Sequence, residues 1–338
     1  MAPSDKNEIY LSSSPHFGSK FSTRKIMMIV VAVLLVVAGW GVYLFGLPAL
    51  VILIASVVSC VVFEALFRLA TRQDVRIGDF SAVITGLLLG MVVSPATPIW
   101  MVVLGSFFAI VVGKEFFGGL GANVFNPALI GRAFLVVSFT KPMTTWLSPQ
   151  TALVPDVITT ATPLTLIKPV EGFVHSAEEV ADLTGFFSPS EVYTNLFFGH
   201  RGGCIGESAI FLIVAAFIFL VVIKIIDWRA PLAMLVTAVG VTALAGIDPL
   251  LTLLSGGLMF GAVFMTTDYA TSPVTPLGRL FFGAGCGLIT ALIRVFGGFP
   301  EGVMFSILIM NAVVPFLNRM IPRKYGKPSR RKSKEAIA

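Results

Sequence analysis

The chain is 338 residues long, 56% hydrophobic and 12% charged, with a net charge of +6. Soluble proteins carry roughly 25% charged residues, so half the ordinary charge is missing. Together with a mean hydropathy of +0.91, this excludes a disordered chain, a collagen-like chain and an ordinary soluble enzyme. The composition predicts an all-α polytopic membrane protein. A spanning helix takes roughly 20 apolar residues, so the length holds about ten spans and one sizeable loop.

Residues 1–25 read as a polar cytoplasmic lead ending in Arg24 and Lys25. The apolar run that follows is too long for a cleavable signal. Apolar runs at 26–46, 48–67, 81–97, 99–117 and 127–140 make a first membrane half over 26–140. The first two are separated only by Gly46–Leu47–Pro48, and Gly and Pro interrupt the later ones at Ser94 to Pro98 and at Gly118 to Pro127. Residues 141–206 form the loop. Runs at 207–226, 230–247, 249–267, 278–297 and 301–319 make a second half over 207–319.

Residues 320–338 complete a basic tail that begins at Arg319 and includes Arg323, Lys324, Lys327, Arg330 and Arg331. Because the tail directly follows an apolar segment, it reads as a cytoplasmic anchor facing anionic lipid and not as a nucleic-acid site. Arg24 and Lys25, Arg68, Arg72 and Arg76, Lys224 and Arg229, Arg279 and the tail all fall on one side of a ten-span arrangement. The positive-inside rule makes that side the cytoplasm, with both termini inside and the loop outside.

An internal repeat is visible at an offset of about 179 residues. FGGLGANVFNPALIGRA begins at Phe117, and FGGFPEGVMFSILIMNA begins at Phe296. Gly86 and Gly90 echo Gly257 and Gly261, both G-x-x-x-G patterns that allow close helix packing. An odd number of spans per half turns the two halves over, the inverted-repeat plan of many transporters, with interrupted helices meeting near the midplane.

Cys60, Cys204 and Cys286 are scattered, with no C-x-x-C pair, so neither a disulfide framework nor a metal site within this chain is expected. His16, His175 and His200 are equally dispersed. No catalytic residue is assigned. Ionisable groups inside apolar segments are costly and need a reason. Lys114, Glu115 and Arg294 read as snorkelling or structural pairing. Arg132 follows the Asn123, Asn126 and Pro127 break and is a candidate to hold a phosphate or a flavin carbonyl. Asp268, in the Thr-flanked string MTTDYATSP, suits a broken helix that binds a cation or positions a cofactor.

The loop holds Asp156-Val-Ile-Thr159-Thr160-Ala161-Thr162-Pro163. Pro163 pushes Thr162 towards an extended backbone, which presents its hydroxyl. This string resembles the flavin-attachment motif D-x-x-[S/T]-G-A-T of the RnfD/NqrB family, whose members belong to the Rnf complex and to the sodium-pumping NADH:quinone reductase. Asp156, Thr159, Ala161 and Thr162 match, whereas Thr160 stands where the family has Gly. Residues 117–135, 256–279 and 299–319 are similar to the same family, so the resemblance covers residues 20–320. The length and short lead are more like the Rnf member than the quinone-reductase one.

The resemblance implies ten transmembrane helices in two inverted five-helix repeats, a urea-transporter-like fold. It implies FMN joined by a phosphoester to Thr162 and installed by a separate flavin transferase, with a noncovalent riboflavin near residues 256–279 or at a subunit interface. It implies electron relay within an ion-translocating ferredoxin:NAD oxidoreductase of a prokaryotic cytoplasmic membrane. The partners implied are RnfA, RnfB, RnfC, RnfE and RnfG, the covalent flavoprotein RnfG above all, together with the lipid bilayer. No nucleic acid is expected. A solute channel of similar fold is the competing reading, and it has no use for the Thr162 acceptor motif.

Overall fold

In the computed structural model, which describes residues 22–75, 77–147, 149, 189–297 and 301–319, every regular element is helical. Helix α1 (Thr23–Phe45) starts where Ser22 Oγ accepts a hydrogen bond from Lys25 N at 3.3 Å. It ends at Gly46, whose φ of 71° and ψ of −152° suit glycine alone. The chain doubles back there into α2 (Leu47–Ala70), with Pro48 in its first turn, where a missing N–H costs nothing.

Helix α3 (Ser81–Met91) is short, about 16 Å by its residue count. The apolar run 81–97 is therefore not one span. Met91 ends the helix, and Val92 to Pro98 form a turn held by Ser94 Oγ, which donates to Thr145 O at 2.7 Å. Helix α4 (Ile99–Phe107) continues through a π turn at Phe108–Val112 and a 3-10 turn at Glu115–Phe117. Helices α5 (Pro127–Ser138) and α6 (Thr140–Met143) complete this half.

After α7 (Pro189–Phe198) come α8 (Ile210–Val222) and α9 (Arg229–Leu244). The run 249–267 is also broken: α10 (Pro249–Leu254) stops at Ser255, and α11 (Leu258–Phe260) passes into a π turn at Gly261–Met265. Helices α12 (Pro276–Phe296) and α13 (Val303–Leu317) follow. Three helices share one start signal, a capping side chain followed by Pro. Asn126 Oδ1 accepts from Leu129 N at 3.3 Å, Asp248 Oδ1 from Leu250 N at 2.8 Å, and Thr275 Oγ1 from Gly278 N at 3.1 Å.

Thr23–Phe45, Leu47–Ala70, Ile99–Phe117 and Pro276–Phe296 are long and apolar enough to cross a bilayer. The other apolar runs form shorter helices. One continuous core joins Leu34, Leu89 and Leu129 to Ile213, Phe260 and Val303, so the two halves of the chain pack as one body. The outward faces are apolar too, with Val36, Ile54, Val236 and Phe281 exposed. A chain apolar both within and without is built for lipid.

Glycine lets the helices approach closely. Ser56 Oγ on α2 donates to Gly86 O at 2.7 Å, and a Cβ on Gly86 would strike the α2 backbone at Val57. On α12, Gly283 and Gly287 lie against the α9 carbonyls of Ala230 and Met234. Such close approach is how helices gain dispersion contacts where lipid removes the hydrophobic drive.

Candidate functional site

The attachment residues Asp156, Thr159, Ala161 and Thr162 lie outside the described residues. The other candidates fall at two places, and α5 connects them.

Asn126 and Asp268 line one cavity of about 100 Å³, with Lys114, Asn123, Thr85 and Tyr269. Asn126 caps α5. With the Asn311 amide turned to satisfy both of its ends, the Asn126 backbone N–H donates to Asn311 Oδ1 at 3.1 Å, while Asn311 Nδ2 donates to Thr271 O at 3.2 Å and Ile307 O at 3.3 Å. One amide on α13 thus ties the start of α5 to the turn after the broken helix. Asp268 organises that turn: Oδ2 accepts from Thr271 Oγ1 at 2.9 Å, and Ser272 N donates to Asp268 O at 3.0 Å.

Ligand sites usually enclose about 300 Å³ or more. The Asp268 cavity is small beside that, and its wall is largely apolar, with Ile26, Val30, Leu34 and Phe264. The Asp268 carboxylate and the Asn123 and Asn126 amides are among the few polar groups it offers. Among the described residues there is no group of three or more His, Cys, Asp or Glu side chains that would hold a metal ion.

Arg132 is not at this cavity. It lies further along α5 in a buried ionic cluster between the two halves. Its Nη2 donates to Glu301 Oε2, stands 3.8 Å from Glu207 Oε1 and 3.7 Å from Cys204 Sγ. Glu301 Oε1 accepts from Gly257 N at 2.9 Å, and a Cβ on Gly257 would collide with both glutamates. Two more arginines close the cluster. Arg201 donates to Leu254 O at 2.6 Å and Glu207 O at 3.0 Å, and Arg294 donates to Thr252 O at 2.9 Å and Ser255 O at 3.1 Å. The freed carbonyls of the α10 break, which lipid could not satisfy, are therefore satisfied by guanidinium groups. Through Nη2 Arg132 bridges the two halves of the chain, while its buried Nε has no partner among the described residues.

A second buried cluster joins α2 to the end of α4. Lys114 Nζ donates to Glu64 Oε2 and to Ser81 Oγ, each at 2.6 Å, and Arg68 Nη2 reaches Glu115 Oε1 at 3.2 Å. Lys114, Glu115 and Arg294 are thus structurally paired and do not snorkel. Glu64, Glu207 and Glu301 were not singled out from the sequence. Glu64 carried the same signal as Arg132, a lone charge within an apolar run. His200 takes part in neither cluster, whereas Arg201 beside it does.

Outside the spanning segments, Tyr193 on α7 donates its hydroxyl to Asp248 Oδ2. Burial, reinforced by that carboxylate, pushes the phenol up to about 12. Asp227, between α8 and α9, is held below the usual carboxylate range. Burial alone would raise it, but the Arg229 backbone N–H and the Arg279 and Arg229 guanidiniums outweigh that.

An all-helical, multi-pass membrane protein with locked ionic clusters between its helices is the class that this fold and these sites define. The chain belongs to the NQR2, RnfD, RnfE family, whose model matches residues 10–326. It is 41% identical, over 95% of its length and 97% of the relative's, to the D component of a proton-translocating ferredoxin:NAD(+) oxidoreductase complex of Clostridium ljungdahlii. It is 42% identical, over 98% of its length and all of the relative's, to the D component of a Na(+)-translocating ferredoxin:NAD(+) oxidoreductase complex of Acetobacterium woodii. The D component of an ion-translocating oxidoreductase complex of Stutzerimonas stutzeri is 38% identical over 92% of this chain and 94% of its own.

Proposed function

We propose that the chain is RnfD, a membrane component of an Rnf electron transport complex, and relays electrons within an ion-translocating ferredoxin:NAD oxidoreductase. The observation that carries this reading is the identity of 41% and 42% to two such components across nearly the whole chain. One of them is named for protons and the other for Na(+). We therefore assign the choice of ion to local coordination around a shared scaffold.

In this reading the chain sits in the prokaryotic cytoplasmic membrane with both termini inside. Its ten helices form two inverted five-helix repeats. In support, each half has a short buried helical segment, Ser81–Met91 or Leu258–Met265, followed by a turn ending in a Thr–Pro step that opens a longer helix, at Thr97–Pro98 and Thr275–Pro276. The extracytoplasmic loop carries FMN on Thr162, with Asp156, Thr159 and Ala161 completing the attachment motif. Bound there, FMN supplies one- and two-electron transfer. Thr162 supplies the hydroxyl oxygen of the phosphoester.

RnfG is the partner on that face, and RnfA, RnfB, RnfC and RnfE complete the complex. A noncovalent riboflavin is placed near residues 256–279 or at a subunit interface. Arg132 keeps the halves in register, and Asp268 and Asn126 are polar groups on the wall of a cavity on the ion route.

The test is flavin fluorescence on denaturing gels after co-expression with a flavin transferase. Fluorescence that survives denaturation in the parent and vanishes in Thr162→Ala is expected. Its absence from the parent, with the transferase active on a control substrate, overturns the flavin assignment.

A further inference from the structure

Between α8 and α9 the apolar wall gives way to a cluster of charge. Lys224, Asp227, Arg229 and, from the start of α12, Arg279 line a cavity of about 480 Å³, a size typical of small-ligand sites. We propose that Lys224, Arg229 and Arg279 bind the phosphate of an anionic phospholipid at this membrane boundary.

Charge is the first argument. Three cations face one carboxylate, and that carboxylate is already engaged. Asp227 Oδ2 receives Arg279 Nη1 at 2.7 Å and Arg229 Nη1 at 3.2 Å, and Oδ1 receives Arg229 N at 2.9 Å. Two positive charges are left over. The Lys224 ammonium makes no hydrogen bond among the described residues, and neither does Nη2 of either arginine. These donors are held in place: Arg279 Nε donates to Pro273 O at 2.9 Å. Lys224 lies just past the Ile223 cap of α8, with a φ of 59°, the left-handed position that often closes a helix.

The lining supplies the second argument. Val221, Ile225, Ile226 and Ala230 give the same space apolar lining, and Trp228 and Tyr269 line it too. Cations, hydrocarbon and aromatic rings around one space match an amphiphile lying at the headgroup level. A free phosphate offers the same charge but no use for the apolar wall.

The site also touches the Asp268 cavity. Tyr269, Ile225, Ile226 and Thr267 line both spaces, and the Tyr269 hydroxyl donates to Ile225 O within the partition. A lipid held here presses on the wall of a cavity that we place on the ion route. The binding claim itself stands without that reading.

The experiment uses the full chain in phosphatidylcholine nanodiscs doped with spin-labelled phosphatidylglycerol, in parallel with spin-labelled phosphatidylcholine. Paramagnetic resonance reads the motionally restricted fraction. A restricted phosphatidylglycerol population that phosphatidylcholine does not show, and that weakens with salt, is expected. Each cation near an anionic headgroup is worth about fivefold in affinity, so Lys224→Gln with Arg229→Gln should cost about thirtyfold. Lys224→Arg should retain binding.

Equal restriction of the two lipids in the parent overturns the proposal, whatever the variants do. So does unchanged preference in a folded double variant. Displacement of the label by inorganic phosphate would keep the cations as an anion site and overturn the lipid as its source. Restriction that appears only when partner proteins of the complex are present would replace the lipid with a protein surface.

Discussion

Lys114 Nζ lies 2.6 Å from Glu64 Oε2 across 50 residues of sequence, and neither side chain is more than 2% exposed. In this environment the pair has no solvent to fall back on. Removing one member leaves the other charged and unpaired, which costs about 3–5 kcal/mol. Glu64→Ala is expected to destabilise the chain by that amount in thermal or detergent unfolding. Glu64→Ala combined with Lys114→Met should recover most of it, because apolar replacement of a whole buried pair is often neutral. If the double variant is no more stable than Glu64→Ala, the pair is not a closed unit.

Arg294 holds two carbonyls of the α10 break, Thr252 O and Ser255 O, with separate Nη atoms. A lysine ammonium is a point donor without the planar fork. Arg294→Lys is expected to lose one of the two bonds, about 1.5–3 kcal/mol for a charge-assisted hydrogen bond. Hydrogen exchange should report the loss locally, with amides after Ser255 opening sooner while those of α1 and α2 keep their protection. Uniform loosening would assign Arg294 a general role in place of a bracing one.

Close helix contact is a separate stability term. Gly283 on α12 faces the Ala230 carbonyl at a distance no Cβ tolerates. Gly283→Ala must push α12 away from α9, at about 1–3 kcal/mol for overpacking. Gly240 on α9 meets nothing near its missing Cβ, so Gly240→Ala should be neutral or stabilising. Comparing the two melting temperatures checks the packing directly.

How far these sites were legible in the sequence depended on separation. Arg132 and Asp268 stand out because a charge in an apolar run needs a partner. Glu301, the partner of Arg132, is 169 residues away, and no local pattern joins them. The breaks at Ser94–Pro98 and Gly118–Pro127 were readable because Pro and Gly mark them. The π turn at Phe108–Val112 was not, since its five residues are ordinary apolar helix formers. Residues 201–206 read as the end of an external loop, yet Arg201 and Cys204 are buried and Gly206 N donates to Met91 O at 2.7 Å. Their Gly-rich composition resembles a surface turn, and only the tertiary contact with the α3 break distinguishes them.

Asp227 supplies a dependence on pH. Its folded-state value lies below the ordinary carboxylate value of about 3.9. A depressed carboxylate stabilises the fold at all pH values above its unfolded value and loses that contribution as pH falls through the folded one. Asp227→Asn should therefore melt below the parent at neutral pH, with the gap closing below about pH 4. A gap that persists at the lowest pH would trace the loss to the Asp227 hydrogen bonds and not to its charge.

Asp268 offers a cleaner separation of charge from shape. Its carboxylate accepts from Thr271 Oγ1 at 2.9 Å and from Ala270 N at 3.4 Å. In Asp268→Asn the amide oxygen keeps the backbone bond, and the amide nitrogen can donate to the Thr271 hydroxyl, which accepts as readily as it donates. The turn that Asp268 organises should survive, and with it the contact of Asn311 with Thr271 O. The missing element is one negative charge on the wall of the cavity shared with Asn126 and Lys114. If that charge helps to move the coupled ion, Asp268→Asn should lower ion transport per electron transferred, leaving covalent flavin and complex assembly at parental levels. Transport by complexes in vesicles, measured beside flavin fluorescence and recovery of the assembled complex, checks all three. Parental transport with parental assembly would leave Asp268 as the organiser of a turn and nothing more.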